Sequence, residues 1–209
     1  CFQINEKENK GKINLEKYKN LICDMYIEWA NYKAQDGDYS GSYKYLESAE
    51  QYNTINPEIY YYIGCNKISQ KIYNEAIEAL NKALEYDKMK EFHVKYLLKL
   101  AEAQHNLNNF FEEKKALTDL LRLDEKNTEG LLRIGLMYIA QHDSKNAEEY
   151  LKMALNVDPE LIEAKYNLAL LYENSNREKA KELYMEILEQ DPGNQEAKSA
   201  LSELSSSGF

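Results

Sequence analysis

Histidine and cysteine are the side chains that most often ligate metals or act as nucleophiles, and this chain has three of each. His93, His105 and His142 are scattered, with no HExxH spacing and no companion ligands at a workable interval, so no metal site is expected. His105 and Glu102 stand at i, i+3 and would share a helical face, the spacing of an ordinary surface pair. Cys1, Cys23 and Cys65 form no CxxC pair, and the two internal thiols read as small, partly buried residues. The glycine patterns that cradle phosphates or strain a nucleophilic serine, GxGxxG, GxxxxGK[ST] and GxSxG, are absent. No catalytic residue and no cofactor is therefore expected. One group remains that suits recognition: the cations Lys95, Lys99 and Arg133, which could meet a carboxylate.

Composition limits what could position such groups. Hydrophobic residues make up 44% of 209, enough for a buried core. Eight glycines and three prolines are too few for a fold of many short strands, so a helical chain is favoured. The net charge of −10 argues against nucleic acid, whose phosphates require an excess of Lys and Arg. No apolar run approaches the ~20 residues of a membrane span.

The chain repeats itself. The small residues Ala30, Gly64, Ala101, Gly135 and Ala169 each follow a large apolar one, at intervals of 34, 37, 34 and 34. Leu46, Leu80, Leu117, Leu151 and Tyr184 form a second column, and Ala49, Ala83, Leu120, Ala154 and Ile187 a third, with the same three-residue insertion at 91–93. Five units follow, at about 23–56, 57–90, 94–127, 128–161 and 162–194. Each reads as two helices of ~12–14 residues with apolar positions at helical spacing. In the fourth unit the joining turn is His142-Asp143-Ser144, where Asp143 or Ser144 can accept from the next helix's free N–H groups. Asp158-Pro159 and Asp191-Pro192 end second helices, since proline disfavours a helical residue before it. The insertion either lengthens the helix ending near Lys90 or enlarges a loop.

These columns resemble the tetratricopeptide repeat, a 34-residue helix–turn–helix unit with a W-x₂-L-G-x₂-Y…A-x₃-F…P pattern. The fourth unit matches at Leu131, Ile134, Gly135, Tyr138, Ala147, Leu151, Ala154 and Pro159, and the second at Tyr60, Ile63, Gly64, Ala76, Leu80 and Ala83. The third fits least well, with Gln104 and Glu113 where an aromatic and a small residue are usual. The resemblance implies an all-α fold, an α-solenoid of right-handed superhelical sense. It also implies binding without catalysis, with the first helix of each unit lining a concave groove.

Aligned on that pattern, the partner-binding groove comprises Ile27, Asn31, Tyr61, Tyr62, Lys95, Leu98, Lys99, Leu132, Arg133, Leu136, Tyr166 and Leu170. Ile27, Tyr61, Leu98, Leu132 and Tyr166 form an apolar ladder. It is either a row of anchors for a partner segment or the packing between neighbouring first helices. With Lys95, Lys99 and Arg133 at its middle, the groove would take an apolar segment bearing a carboxylate. The resemblance also brings in the clamp by which co-chaperones hold acidic C-terminal peptides. Asn31, Lys95 and Lys99 fit it, with lysine for arginine, but Ile27 and Tyr62 stand where Lys and Asn belong. The expected function is a protein–protein interaction scaffold or adaptor for a protein or peptide. The alternatives are a repeat arm of a larger enzyme and a co-chaperone.

The ends complete the expected organisation. Residues 1–13 read as a flexible polar tether and 14–205 as the repeat domain, with a capping helix at 195–204 and a frayed tail at 205–209. From about Asn14 a helix should run into the first unit with Tyr18, Leu21, Ile22 and Met25 on a shared face. A cysteine at position 1 with a polar segment behind it suits a lipid anchor of the bacterial lipoprotein kind, which would place the protein at a cell envelope. Otherwise it is cytoplasmic, and Cys1 an arbitrary boundary.

Overall fold

Apolar residues recurring at 3.6-residue spacing need a second helix to cover them, and the chain supplies helices in pairs. The computed structural model describes residues 2–206, with side chains from 14 to 205. Among the described residues there are eleven α-helices and no strand: α1 (Phe2–Gln35), α2 (Tyr39–Glu50), α3 (Pro57–Ser69), α4 (Tyr73–Tyr86), α5 (His93–Asn106), α6 (Phe110–Leu123), α7 (Thr128–Ala140), α8 (Ser144–Val157), α9 (Ile162–Tyr172), α10 (Arg177–Gln190) and α11 (Gln195–Ser206). The fold is all-α, an α-solenoid of consecutive helix pairs. It divides inside α6 into one unit ending at Glu113 and a second starting at Lys114. Within the first unit α1 packs on α2, α3 on α4, and α4 on α5; within the second α7 packs on α8, α8 on α9, α9 on α10, and α10 on α11.

The core of the first unit joins Cys23, Ile27 and Ala30 of α1 to Leu46 and Ala49 of α2, Ile59 and Tyr60 of α3, Ala83 of α4 and Tyr96 of α5. The second is built around Leu131, Leu151, Ala154, Leu168, Ala169, Tyr184, Ile187, Ala197 and Leu204. Each fully buried leucine contributes about 1.5–3 kcal/mol of transfer free energy. The small residue of each first helix lies where its partner crosses. A methyl on Gly64 would sit 2.7 Å from Leu80 Cγ, and one on Gly135 3.0 Å from Leu151 Cδ2.

Short polar groups set the turns. Asp38, Asn56, Asn127, Asp143 and Asn176 each accept from a backbone N–H of the helix that follows, Asp143 from Asn146 at 3.2 Å. Gly37, Lys71, Asn108 and His142 occupy equivalent places in the first four turns, all at positive φ of 58–77°. Only Gly37 adopts that conformation without steric cost. A column invisible from proline positions alone also emerges. Asn53, Asp87, Asp158 and Asp191 accept from N–H groups two to five residues on, closing the turns between successive pairs. Asp87 accepts from Glu91 N (3.3 Å) and Phe92 N (2.9 Å), so the insertion enlarges a loop between Tyr86 and His93.

Tyrosine ties neighbouring helices. The hydroxyls of Tyr60, Tyr96, Tyr172 and Tyr184 donate to Glu50, Glu58, Glu148 and Glu173 at 2.6–2.9 Å, and burial holds all four phenols above their usual pKa. Asn66 Nδ2 donates to Ser42 Oγ at 2.7 Å, satisfying two fully buried polar groups.

The amino-terminal segment differs from expectation. The backbone of 2–13 is not an irregular tether but the start of the 34-residue helix α1. EKENKGK has no proline and one glycine, and its Glu and Lys are good helix formers. Cys1, the expected lipid-bearing residue, lies outside the described residues, as do 207–209.

Candidate partner-binding surfaces

Each unit carries part of the expected groove. In the first, α1, α3 and α5 are the first helices of their pairs. Their outward side chains include Asp24 and Glu28, Tyr61, Tyr62 and Cys65, and Lys95, Lys99 and Glu102. In the second, α7 offers Arg133 and Leu136, and α9 offers Tyr166 and Leu170.

Two members of the apolar ladder belong inside. Ile27 is 6% exposed and Leu132 4%, both within the cores, so neither can anchor a partner. The reason is geometric: at these points the ladder position faces the neighbouring pair's helix. Tyr61, Tyr62, Leu136 and Tyr166 are half-buried against the same cores, and Leu98 on α5 is half-buried. Asn31 is also half-buried, while Leu170 is exposed. In the second unit Tyr166 and Leu170 floor an open recess against α11, rimmed by Glu173, Glu196 and Glu203.

The cations are not free. Lys95 Nζ lies 2.7 Å from Glu58 Oε1, above the rings of Tyr61 (4.7 Å) and Phe92 (4.4 Å). Lys99 pairs with Glu102 at 2.7 Å and Arg133 with Glu129 at 2.5 Å. The expected cationic centre is thus answered by acids of the chain itself. Two of these pairs have helical i, i+3 or i, i+4 spacing. The third joins the same column of adjacent units, because Glu58 and Lys95 are one repeat apart. That signal was present in the sequence.

Asp24 and Glu28 have the opposite character. Neither has an ion-pair partner among the described residues. Partial burial and the nearby carboxylates of Glu28 and Glu58 push the Asp24 carboxyl up from its ordinary value, against an opposing hydrogen bond from Asn56. Tyr62, half-buried close by, is pushed up as well by burial and by Glu58 and Glu28. Cys65 lies beside Tyr61, its thiol held up by desolvation, and Cys23 is buried with Asn56 Nδ2 donating to its sulfur at 3.4 Å. Both are structural thiols of low reactivity. Among the described residues there is no cluster of metal-ligating side chains, and no helix is long and apolar enough to cross a membrane.

The His105 reading also changes partner. Its Nδ1 is 3.1 Å from both carboxylate oxygens of Glu113, which is buried, and Glu102 turns instead to Lys99. Glu113 occupies a column where a small residue is usual, and the imidazole accounts for its burial.

Known proteins bear out the repeat fold. Family models of the tetratricopeptide repeat match residues 57–88, 128–161 and 163–194. The chain is similar to the solved structure of PilF from Pseudomonas aeruginosa, at 16% identity over 90% of this chain and 89% of that one, with a TM-score of 0.75. It is similar to MamA, at 20% identity over 82% and 92% with a TM-score of 0.68. It is also similar to YrrB, described as a TPR protein with an unusual peptide-binding site, at 22% identity over 84% and 89% with a TM-score of 0.65. No curated protein sequence matches the chain. Three helix pairs match the repeat itself and the other two share its columns: the chain is a tetratricopeptide-repeat protein.

Proposed function

We propose that this protein is an interaction scaffold whose first helices bind a partner segment, and that the surface of its first unit favours a cationic and aromatic segment over an acidic one. The general role follows from the repeat, an architecture of protein–protein interaction. YrrB, which shares the fold, has a peptide-binding site, and this supports peptide recognition here.

The observation that carries the charge preference is the pairing pattern. Lys95 and Lys99 are each held by an internal acid, while Asp24 and Glu28 have no ion-pair partner among the described residues and Glu28 is near enough to Tyr62 to raise its hydroxyl. A lysine or arginine of a partner would find a carboxylate and an aromatic face together, a combination that attracts cations. Its arrival would also relieve the crowding that raises Asp24. An acidic-peptide clamp is less well supported, because Ile27 is packed inside and the two lysines would first have to leave Glu58 and Glu102.

Selection of displayed peptides on the immobilised chain tests this. Enrichment of Lys- or Arg-bearing, aromatic sequences is expected, with binding lost in Asp24→Asn/Glu28→Gln. Enrichment of acidic sequences that bind both forms equally would overturn it.

A further inference from the structure

In the first unit, α3 and α5 are each covered on one side by the helix pair before them. Within the first unit, Ile59 and Tyr96 are fully buried at one such position, and Asn66 and Ala103 at another. Their counterparts on α1 are Met25 and Tyr32, 44% and 64% exposed. The same face continues along the helix through Leu15 (56%), Tyr18 (64%), half-buried Ile22 and Trp29 (48%). These six residues are spaced 3, 4, 3, 4 and 3 apart, the a/d pattern of a coiled-coil seam. At 100° per residue this stripe lies roughly 140° around α1 from the face formed by Cys23, Ile27 and Ala30, which is buried. The helix is apolar on both sides, and only one side is covered.

We infer that α1 pairs through this stripe, in parallel, with α1 of a second copy of the chain. Four observations favour that occupant. The first is length. The 34 residues of α1 run ~51 Å, whereas the 12 of α2 run only ~18 Å. Of Asn14–Leu21 all but Lys19 are exposed, and an unsupported helical segment of this size is marginal in water. The second is area. Six large side chains, about half exposed, offer on the order of 600 Å² per copy, close to the ~800 Å² per partner of a stable interface.

The third is charge. With Leu15, Ile22 and Trp29 at a, Glu28 falls at g and Lys33 at e, so parallel pairing sets Glu28 of each copy opposite Lys33 of the other. Lys33 already reaches Asp38 at 3.2 Å, and its exposed ammonium has donors to share. Antiparallel pairing would instead bring Lys19 and Lys33 to the same flank. The fourth concerns the other end of the chain. The outward residues of α11 are Glu196, Lys198, Ser199 and Ser202, and stacking them on the stripe would bury polar groups without partners. Head-to-tail assembly is thereby disfavoured. Glu28 borders both this stripe and the surface proposed above, but the pairing rests on the six apolar residues, which include neither Asp24 nor Glu28, and its test replaces neither.

Sedimentation velocity of the 209-residue chain tests the pairing. Wild type should sediment as a dimer of the 24.4 kDa chain. Tyr18→Glu/Trp29→Glu, both on exposed positions, should weaken the dimer at least tenfold while keeping the helical circular dichroism. Phe111→Glu, an exposed apolar residue on α6, should leave the mass unchanged. A monomeric wild type, a ladder of species growing with concentration, a dimer untouched by the double variant, or one equally sensitive to Phe111→Glu would each overturn the inference. So would a monomer that associates only with phosphatidylglycerol vesicles, which would assign the stripe to a membrane surface.

Discussion

Replacing Gly64 by alanine adds one methyl group where α3 crosses α4. On the unchanged backbone that carbon lies 2.7 Å from Leu80 Cγ and 2.9 Å from Cδ2, and 3.4 Å from the Ala76 carbonyl. Ordinary carbon contacts are ~3.5–4.0 Å, so something must move by the better part of an ångström. The atom in the way is the branch carbon of a leucine that is fully buried, which has little room to turn. Overpacking of this kind costs about 1–3 kcal/mol, while alanine in place of glycine inside a helix returns about 0.8–1 kcal/mol. The net for Gly64→Ala is a loss of about 0–2 kcal/mol, toward the upper end because the contact is so short. Gly135→Ala is the internal control. There the new carbon meets Leu151 at 3.0–3.1 Å, starting at a terminal methyl, and a shift of a few tenths of an ångström suffices. The helix gain then roughly offsets the contact, and the variant should lie within about 1 kcal/mol of wild type. Urea unfolding followed by circular dichroism gives both midpoints, with the slopes compared because repeat arrays can unravel locally. Gly64→Ala at least as stable as Gly135→Ala would refute the reasoning.

Other outcomes follow from the turns and the tyrosines. His142→Gly and Lys71→Gly should each stabilise by about 1 kcal/mol by relieving a left-handed backbone, and Asn108→Gly by less, as read in thermal melts. Tyr184→Phe should lose about 1 kcal/mol, because its hydroxyl donates to Glu173 from a fully buried ring; denaturant titration measures it. Asp143→Ala should be destabilised at pH 7. Hydrogen bonds from the Asn146 side chain and backbone hold the Asp143 carboxyl below its usual value, so its contribution is present above the unfolded-state pKa of ~3.9 and is lost as pH falls through the lower folded value. Melts from pH 7 to 2 should therefore show the gap between wild type and variant closing at the acid end.

The sequence carried the repeat because packing imposes a period: Gly64 and Gly135 had to be small, and Leu80 and Leu151 had to fill the space opposite. Column arguments show which residues are equivalent. They do not show which of two adjoining surfaces covers them, and so Ile27 and Leu132 looked outward when they are core. Charges follow the same rule. Lys95, Lys99 and Arg133 share a column pattern, but each has an acid at a spacing that a helix or a neighbouring repeat brings into contact. The left-handed turns were hidden because only one of the four uses glycine. Composition also misled at the amino terminus, where a polar segment with good helix formers continues α1.

The ion pairs on α5 and α7 have a consequence for selectivity. Each lysine or arginine carries its own competitor on a short leash, at an effective concentration of the order of millimolar or above. An acidic protein meeting any one of these pairs gains only the difference between two similar carboxylates, and it must leave Glu58, Glu102 or Glu129 exposed without a counterion. On the charge preference proposed above, these three occupied basic sites would disfavour stray polyanions without adding to an already large negative charge.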